Sequence, residues 1–229
     1  MSKQLRIWLF VLLSTLLAST TLPAQGVITM ITSQRVGEEI GLIINANGNV
    51  TIEGVKETFD YDTYTYTLTS QTITIRGDVT ELYCDGNQLT SLDVSKNTAL
   101  TELTCIDNQL TSLNVSKNTA LTKLDCSNNK LTSLNVSNNS ALTALYCSVN
   151  QLTNLNVSGC ARLNTLYCYS NFIKGKAMTK LVNSLPNRRK KKSGNLLVVD
   201  RYGYSNKKDK NRYSAADVAT AKRKNWELR

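Results

Sequence analysis

The chain has 229 residues, with 27 Lys and Arg against 17 Asp and Glu, and no histidine. The missing imidazole excludes Ser-His-Asp and Cys-His catalytic arrangements and removes the commonest metal ligand. The net charge of +10 is unevenly divided: residues 25–173 carry 8 basic and 13 acidic side chains, and residues 174–229 carry 17 basic and 4 acidic ones.

Taken in order, Lys3 and Arg6 precede an apolar run from Ile7 to Ala18, and Leu22-Pro23-Ala24 closes a stretch of small residues. This predicts a signal peptide over 1–24, so the protein is expected to be exported: secreted, periplasmic or on the outer cell surface. The run is too short to cross a bilayer comfortably, and no later stretch is apolar enough, so no transmembrane segment is expected.

Residues 25–78 are rich in Thr, Ile, Val and Tyr and read as a β-rich N-terminal cap. The segment 40–53 predicts a hairpin turning at Asn47-Gly48-Asn49. Tyr64–Leu68 and Thr72–Arg76 alternate with the period of a strand. Asp60 and Asp62 read as solvated loop carboxylates, and no metal is expected.

Residues 79–173 repeat every 21 residues. Cys84, Cys105, Cys126, Cys147 and Cys168 keep that spacing, and Asn87, Asn108, Asn129, Asn150 and Asn171 follow three residues later. Each unit reads L-x-x-L-x-C-x-x-N-x-L-x-x-L-x-V-S-x-N-x-x, the leucine-rich repeat pattern. In Leu103-Thr104-Cys105 alternate residues face inward. Leu110, Leu113 and Val115 line the opposite wall, and the Asn108 amide satisfies backbone groups in the turn. A second period, ten residues on, echoes Leu100-x-x-Leu103-x-Cys105-x-x-Asn108 as Leu110-x-x-Leu113-x-Val115-x-x-Asn118. The return path is therefore expected as short extended and turn segments, not a helix. The cysteines stand where leucine would serve, so they are expected as buried, reduced thiols despite export.

Residues 174–229 read as a C-terminal cap containing helix, strand, basic loop and helix. Lys176–Leu185 has helical spacing and stops at Pro186. Arg188, Arg189, Lys190, Lys191 and Lys192 are expected as a solvent-facing loop. Leu196–Asp200 reads as a strand beside the last repeat strand. Tyr202–Tyr213 reads as a polar loop. Ser214-Ala215-Ala216-Asp217 opens a second helix through about Lys224, and Trp226 packs back.

The 21-residue unit, with cysteine at the inward position before x-x-Asn, resembles the bacterial internalin-type repeats, especially those with a cysteine ladder. Val50–Val55, Thr74–Thr80 and Ala221–Trp226 resemble flanks of secreted leucine-rich repeat proteins of Gram-negative gut and oral bacteria. The resemblance implies a curved parallel sheet, exposure at the cell surface and a role in binding or adhesion, with no catalytic residues to carry over.

The expected fold is thus a leucine-rich repeat solenoid: a parallel sheet on one face, a small β cap before it and an α/β cap after it. Side chains alternating with Leu and Cys should face outward: Tyr83 and Asp85, Thr104 and Ile106, Asp125 and Ser127, Tyr146 and Ser148, Tyr167 and Tyr169. Among these and the adjoining Val149, the candidate ligand-binding residues are Tyr83, Asp85, Ile106, Tyr146, Val149, Tyr167 and Tyr169. Tyr146, Tyr167 and Tyr169 gather at one end as the expected hot spot. Arg188–Lys192 is a candidate for an anionic surface. The expected function is non-catalytic recognition of a protein or glycan at a cell surface. The alternative is a structural envelope element whose basic cap holds anionic polysaccharide. No cofactor and no nucleic acid partner are expected, and the chain is expected as a monomer.

Overall fold

A computed structural model describes residues 26–57, 64–199 and 209–228. The expected signal peptide, Asp60, Asp62 and most of the loop beginning at Tyr202 lie outside the described residues. Among the described residues no helix is long and apolar enough to cross a membrane.

The N-terminal part comprises β1 (Val27–Thr32), β2 (Glu39–Gly41), β3 (Ile43–Glu53), β4 (Val55–Glu57), β5 (Thr65–Leu68) and β6 (Thr72–Tyr83). The repeats add β7 (Leu89–Asp93), β8 (Glu102–Thr104), β9 (Lys123–Asp125), β10 (Ala144–Tyr146) and β11 (Thr165–Tyr167). The C-terminal part contains α1 (Lys176–Ser184), β12 (Gly194–Leu197), α2 (Ala215–Arg223) and β13 (Trp226–Leu228). The chain is a leucine-rich repeat solenoid. From β6 through β8, β9, β10, β11 and β12 to β13, neighbouring strands pair in parallel.

Each coil buries the same set of side chains. Leu100, Leu103, Cys105, Leu110 and Val115 are fully buried, and Leu113 nearly so. All six cysteines are free and buried. Apolar burial stabilises by roughly 1.5–3 kcal/mol per large side chain, against a backbone ordering cost of roughly 1–2 kcal/mol per residue, so no coil stands alone.

Two asparagine ladders satisfy the turns. Asn129 Nδ2 donates to the carbonyls of Cys105 (2.9 Å) and Cys126 (3.1 Å), while its Oδ1 accepts from Leu110 N (3.0 Å). Asn108, Asn150 and Asn171 repeat this bonding. On the opposite wall, Asn118 Nδ2 donates to the carbonyls of Val94 and Asn97, and Asn139 Nδ2 to those of Val115 and Asn118. This second ladder corresponds to the ten-residue internal period. Its fourth rung is Cys160, whose Sγ donates to Val136 O at 3.4 Å. Between the ladders the return path is extended or turned, with no helix in the repeats.

Both ends of the first ladder are closed by bonds to the caps. At the start, Asn87 exchanges bonds with Gly41, Nδ2 to O at 2.7 Å and N to Oδ1 at 3.0 Å. Strand β1 fills the end of the first coil, antiparallel to both β6 and β7. At the other end Asn211 stands in for a repeat asparagine. Its Nδ2 donates to Cys168 O (2.8 Å) and Val198 O (2.7 Å), and its Oδ1 accepts from Ile173 N (2.7 Å).

The expected hairpin over 40–53 is not formed. β3 is one strand, and both of its arms pair with β6, with the register breaking between Asn47 and Thr51. Gly48, at φ +95°, sits in a bulge instead of a hairpin turn. Opposite it, Gly77 adopts φ +143°, and a Cβ there would meet Asn49 O at 2.8 Å. β6 offers both arms a partner because it runs for twelve residues from the cap into the first coil, burying Ile73, Ile75 and Val79 before its alternation breaks at Thr80–Glu81 and resumes at Leu82. In the C-terminal part the basic loop precedes the strand, which ends at Leu197. The Ser214–Asp217 capping box forms as expected, and burial of Asp217 is outweighed by hydrogen bonds from Ser214 and Thr179 that hold its carboxyl below the ordinary value.

Candidate functional site

Three-residue strands present only two outward side chains each. These form two columns: Glu81, Glu102, Lys123, Ala144 and Thr165; and Tyr83, Thr104, Asp125, Tyr146 and Tyr167. The face they make has two unlike ends.

The N-terminal end is a polar network. The Tyr83 hydroxyl lies 3.3 Å from Glu81 Oε2 and 3.2 Å from Glu102 Oε2. Asn45 Nδ2 donates to Glu81 at 2.7 Å, and Lys123 Nζ lies 3.4 Å from Glu102. Burial and then the charges of Glu102 and Glu81 push the Tyr83 phenol up to about 12. Tyr83 is therefore a member of this network and not of an aromatic cluster. Glu81, Glu102 and Lys123 were not among the expected site residues. Their signal was available, because they share the strand parity of Tyr83, Thr104 and Asp125 two positions on.

The C-terminal end is aromatic. The rings of Tyr146 and Tyr167 meet edge to face, with centroids 5.2 Å apart and planes at 85°. Both are half-buried. Burial, then the neighbouring Tyr167 and Asp125, raise the Tyr146 phenol above its ordinary value. Asp125 is half-buried beside them, and burial lifts its carboxyl despite the bonds from Ser127.

Asp85, Ile106, Ser127, Ser148 and Tyr169 lie one step past the strand ends. Asp85 is bound by the next coil, accepting from Thr104 Oγ1 (3.1 Å) and Ile106 N (2.7 Å). Thr104 and Ser148, expected to face solvent, are 5% and 2% exposed. For Thr104 the bond to Asp85 supplies a reason. Tyr169 is half-buried, and its carbonyl accepts from Val149 N at 2.9 Å. Tyr169 stands two residues beyond the end of β11.

Val149 has a different origin from the sheet positions. It occupies the left-handed turn column, with Gly86, Asp107, Asn128 and Ser170, at φ +55°. A β-branched residue is a strained occupant there. It is half-buried in the turn.

The basic run is corrected at one residue. Arg188 is 8% exposed and belongs to the packing of the cap. Its Nη1 donates to Leu163 O (3.1 Å), its Nε and Nη2 to Lys192 O (3.2 and 2.9 Å), and its guanidinium lies 5.9 Å from the Trp226 ring centroid. A guanidinium has five fixed donors, so backbone carbonyls at a coil end and a ring can hold it without a carboxylate. Arg189, Lys190, Lys191 and Lys192 remain exposed.

No family model and no curated protein matches the chain. Among solved structures it is similar to internalin InlF from Listeria monocytogenes (18% identity, 59% of this chain and 36% of that one, TM-score 0.46). It is also similar to the functional domain of InlJ from Listeria monocytogenes, which includes a cysteine ladder (25% identity, 71% and 42%, TM-score 0.40). A third similar structure is the ectodomain of the receptor kinase SOBIR1 from Arabidopsis thaliana (26% identity, 54% and 70%, TM-score 0.39). The chain spans about two fifths of the length of the two Listeria structures.

Proposed function

We propose that the protein is a non-catalytic recognition module, exported to the cell surface or beyond, that binds a protein partner on the outer face of its sheet. The observation that carries this reading is the edge-to-face pair of Tyr146 and Tyr167 on strands β10 and β11. Half-buried tyrosines offer a large, stiff contact surface at little entropic cost, and such residues dominate interface energies. The polar end, with Glu81, Tyr83 and Glu102, would sit at the same interface as an orienting rim. Tyr169, Asp85, Ile106 and Val149 border the face at the turn.

Binding of labelled protein to host and bacterial cell surfaces tests the reading, compared with a Tyr146→Ala, Tyr167→Ala variant. The variant should lose at least about 30-fold in affinity, as expected for a single hot-spot tyrosine. Its melting temperature should move by only a few degrees. Protease treatment of the cells should abolish binding, whereas glycosidase treatment should spare it. Undiminished binding by the double variant would overturn the site.

A further inference from the structure

The basic loop of the C-terminal cap is held in place by many bonds. Arg188 N donates to Lys224 O (2.9 Å), Lys191 N to Arg188 O (2.8 Å), and Gly194 N to Asn225 O (3.0 Å). Asn225 adds two clasps through Nδ2, to the carbonyls of Arg188 (3.2 Å) and Lys191 (2.9 Å). The buried Arg188 guanidinium grips Lys192 O from beneath. Arg189 Nε reaches Arg223 O at 2.7 Å, bringing the loop against the end of α2, where Lys222 and Arg223 stand.

Among the described residues no ion pair joins the cations of this frame to a carboxylate: the pairs are Arg76–Glu53 and Lys123–Glu102, both far along the chain from this loop. The carboxylate of Glu227, on β13 beside β12, is bonded by Ser193 Oγ. An open cleft of about 380 Å³ is lined by Asn187, Arg189, Lys190 and Lys191. Keeping several like charges on one fixed frame costs repulsion that a merely solvating loop would avoid by moving apart.

We propose that this frame is a second binding site, separate from the sheet face, for an anionic polysaccharide bearing sulfate, phosphate or carboxylate groups. Arg189, Lys190, Lys191 and Lys192 contact it from the loop, and Lys222 and Arg223 from the end of α2. The chemistry narrows the partner class. The cap's tryptophan, Trp226, is buried at 2% exposure and cannot stack on a base, which disfavours single-stranded nucleic acid. The stretch Asn187–Gly194 has no apolar side chain to enter a bilayer, which disfavours a membrane surface. An open cleft continuous with charges on two segments suits a chain of repeated anionic groups better than one small ion.

Binding of the purified chain to immobilised heparin tests the proposal. Wild type should bind, and its affinity should fall at least tenfold as salt rises from about 0.1 to 1 M, where the screening length shrinks from about 10 to 3 Å. The variant Lys190→Ser, Lys191→Ser, Lys192→Ser removes side chains that make no hydrogen bond in the frame. It should keep its melting temperature and lose at least tenfold in affinity. The control Lys96→Ser, Lys117→Ser, Arg162→Ser removes the same charge from exposed positions in the repeats and should bind as wild type does. Equal loss in both variants, or no retention of wild type at low salt, overturns the site. Equal or tighter binding to single-stranded DNA or anionic vesicles overturns the assignment to polysaccharide.

Discussion

At the scale of single residues, the two asparagine ladders look equivalent in sequence but are not equivalent in bonding. Asn129 both donates and accepts, and its Oδ1 is the acceptor for the buried N–H of Leu110. Asn139 donates to Val115 O and Asn118 O, whereas its Oδ1 is buried with no partner, as are those of Asn97 and Asn118. A buried donor left unmet costs about 1–3 kcal/mol. Asn129→Ala should therefore destabilise by about 3–5 kcal/mol, and Asn139→Ala by about 1–3 kcal/mol less than that. Urea unfolding of the two variants measures the gap; equal losses would show that the first ladder's accepting bond is worth nothing. The 21-residue spacing made every in-repeat asparagine legible. It did not reveal Asn211, which completes the first ladder from outside the repeat, 40 positions after Asn171 instead of 21. Nor did it reveal that Cys160 would take the second ladder's fourth rung, its thiol reaching the Val136 carbonyl.

At the scale of elements, strand parity and helix periodicity placed the repeat strands, α1 and α2 closely, because local pattern and burial agree there. The N-terminal cap was harder to read. Asn47-Gly48-Asn49 carries a strong turn signal, yet β6 pairs with both arms of β3, and a long-range partner overrode a local preference. The basic run needed correction at one residue for another reason: a sequence of five cations carries no depth. Arg188 is the one that turns inward, where it joins Leu163, Lys192 and Trp226. Arg188→Ala should therefore act as a core mutation of the cap. It leaves Leu163 O and Lys192 O short of donors and opens space against Trp226, costing about 3 kcal/mol or more. Arg188→Lys should recover only part, because one ammonium cannot hold both carbonyls in the geometry of the fork. By contrast, Lys190→Ser should leave the melting temperature within a degree or two, since surface substitutions are usually within about 0.5 kcal/mol. Thermal melts of the three variants separate the residue that builds the frame from one that is displayed on it.

At the scale of the whole molecule, the solenoid couples one chemical group across every coil. Burial raises the thiols of Cys84, Cys105, Cys126, Cys147 and Cys168 far above their ordinary range, and Cys160 to about 11. In the unfolded chain the same thiols ionise at about 8.5–9. The folded state then holds protons that the unfolded state has released, so stability falls as pH rises. The stabilisation from a raised folded-state value is fully present below the unfolded value and is lost above it. Each thiol contributes a slope of about 1.4 kcal/mol per pH unit once the unfolded form is ionised. At pH 10 the five ladder thiols together remove on the order of 7 kcal/mol, comparable with the whole stability of a domain. Between pH 10 and about 12 the Tyr83 phenol adds to the loss in the same direction. Because neighbouring coils share their core, the loss should appear as one cooperative transition and not as fraying. Far-UV circular dichroism against pH, with reductant present, should show a single unfolding step above pH 9 that reverses on return to pH 7. Cys126→Ala should lower the neutral-pH stability by opening a small cavity, yet reduce the alkaline slope by about 1.4 kcal/mol per unit. A melting temperature that stays flat from pH 8 to 10 would contradict the proton-holding ladder, and a slope unchanged in the alanine variant would assign the effect to other groups.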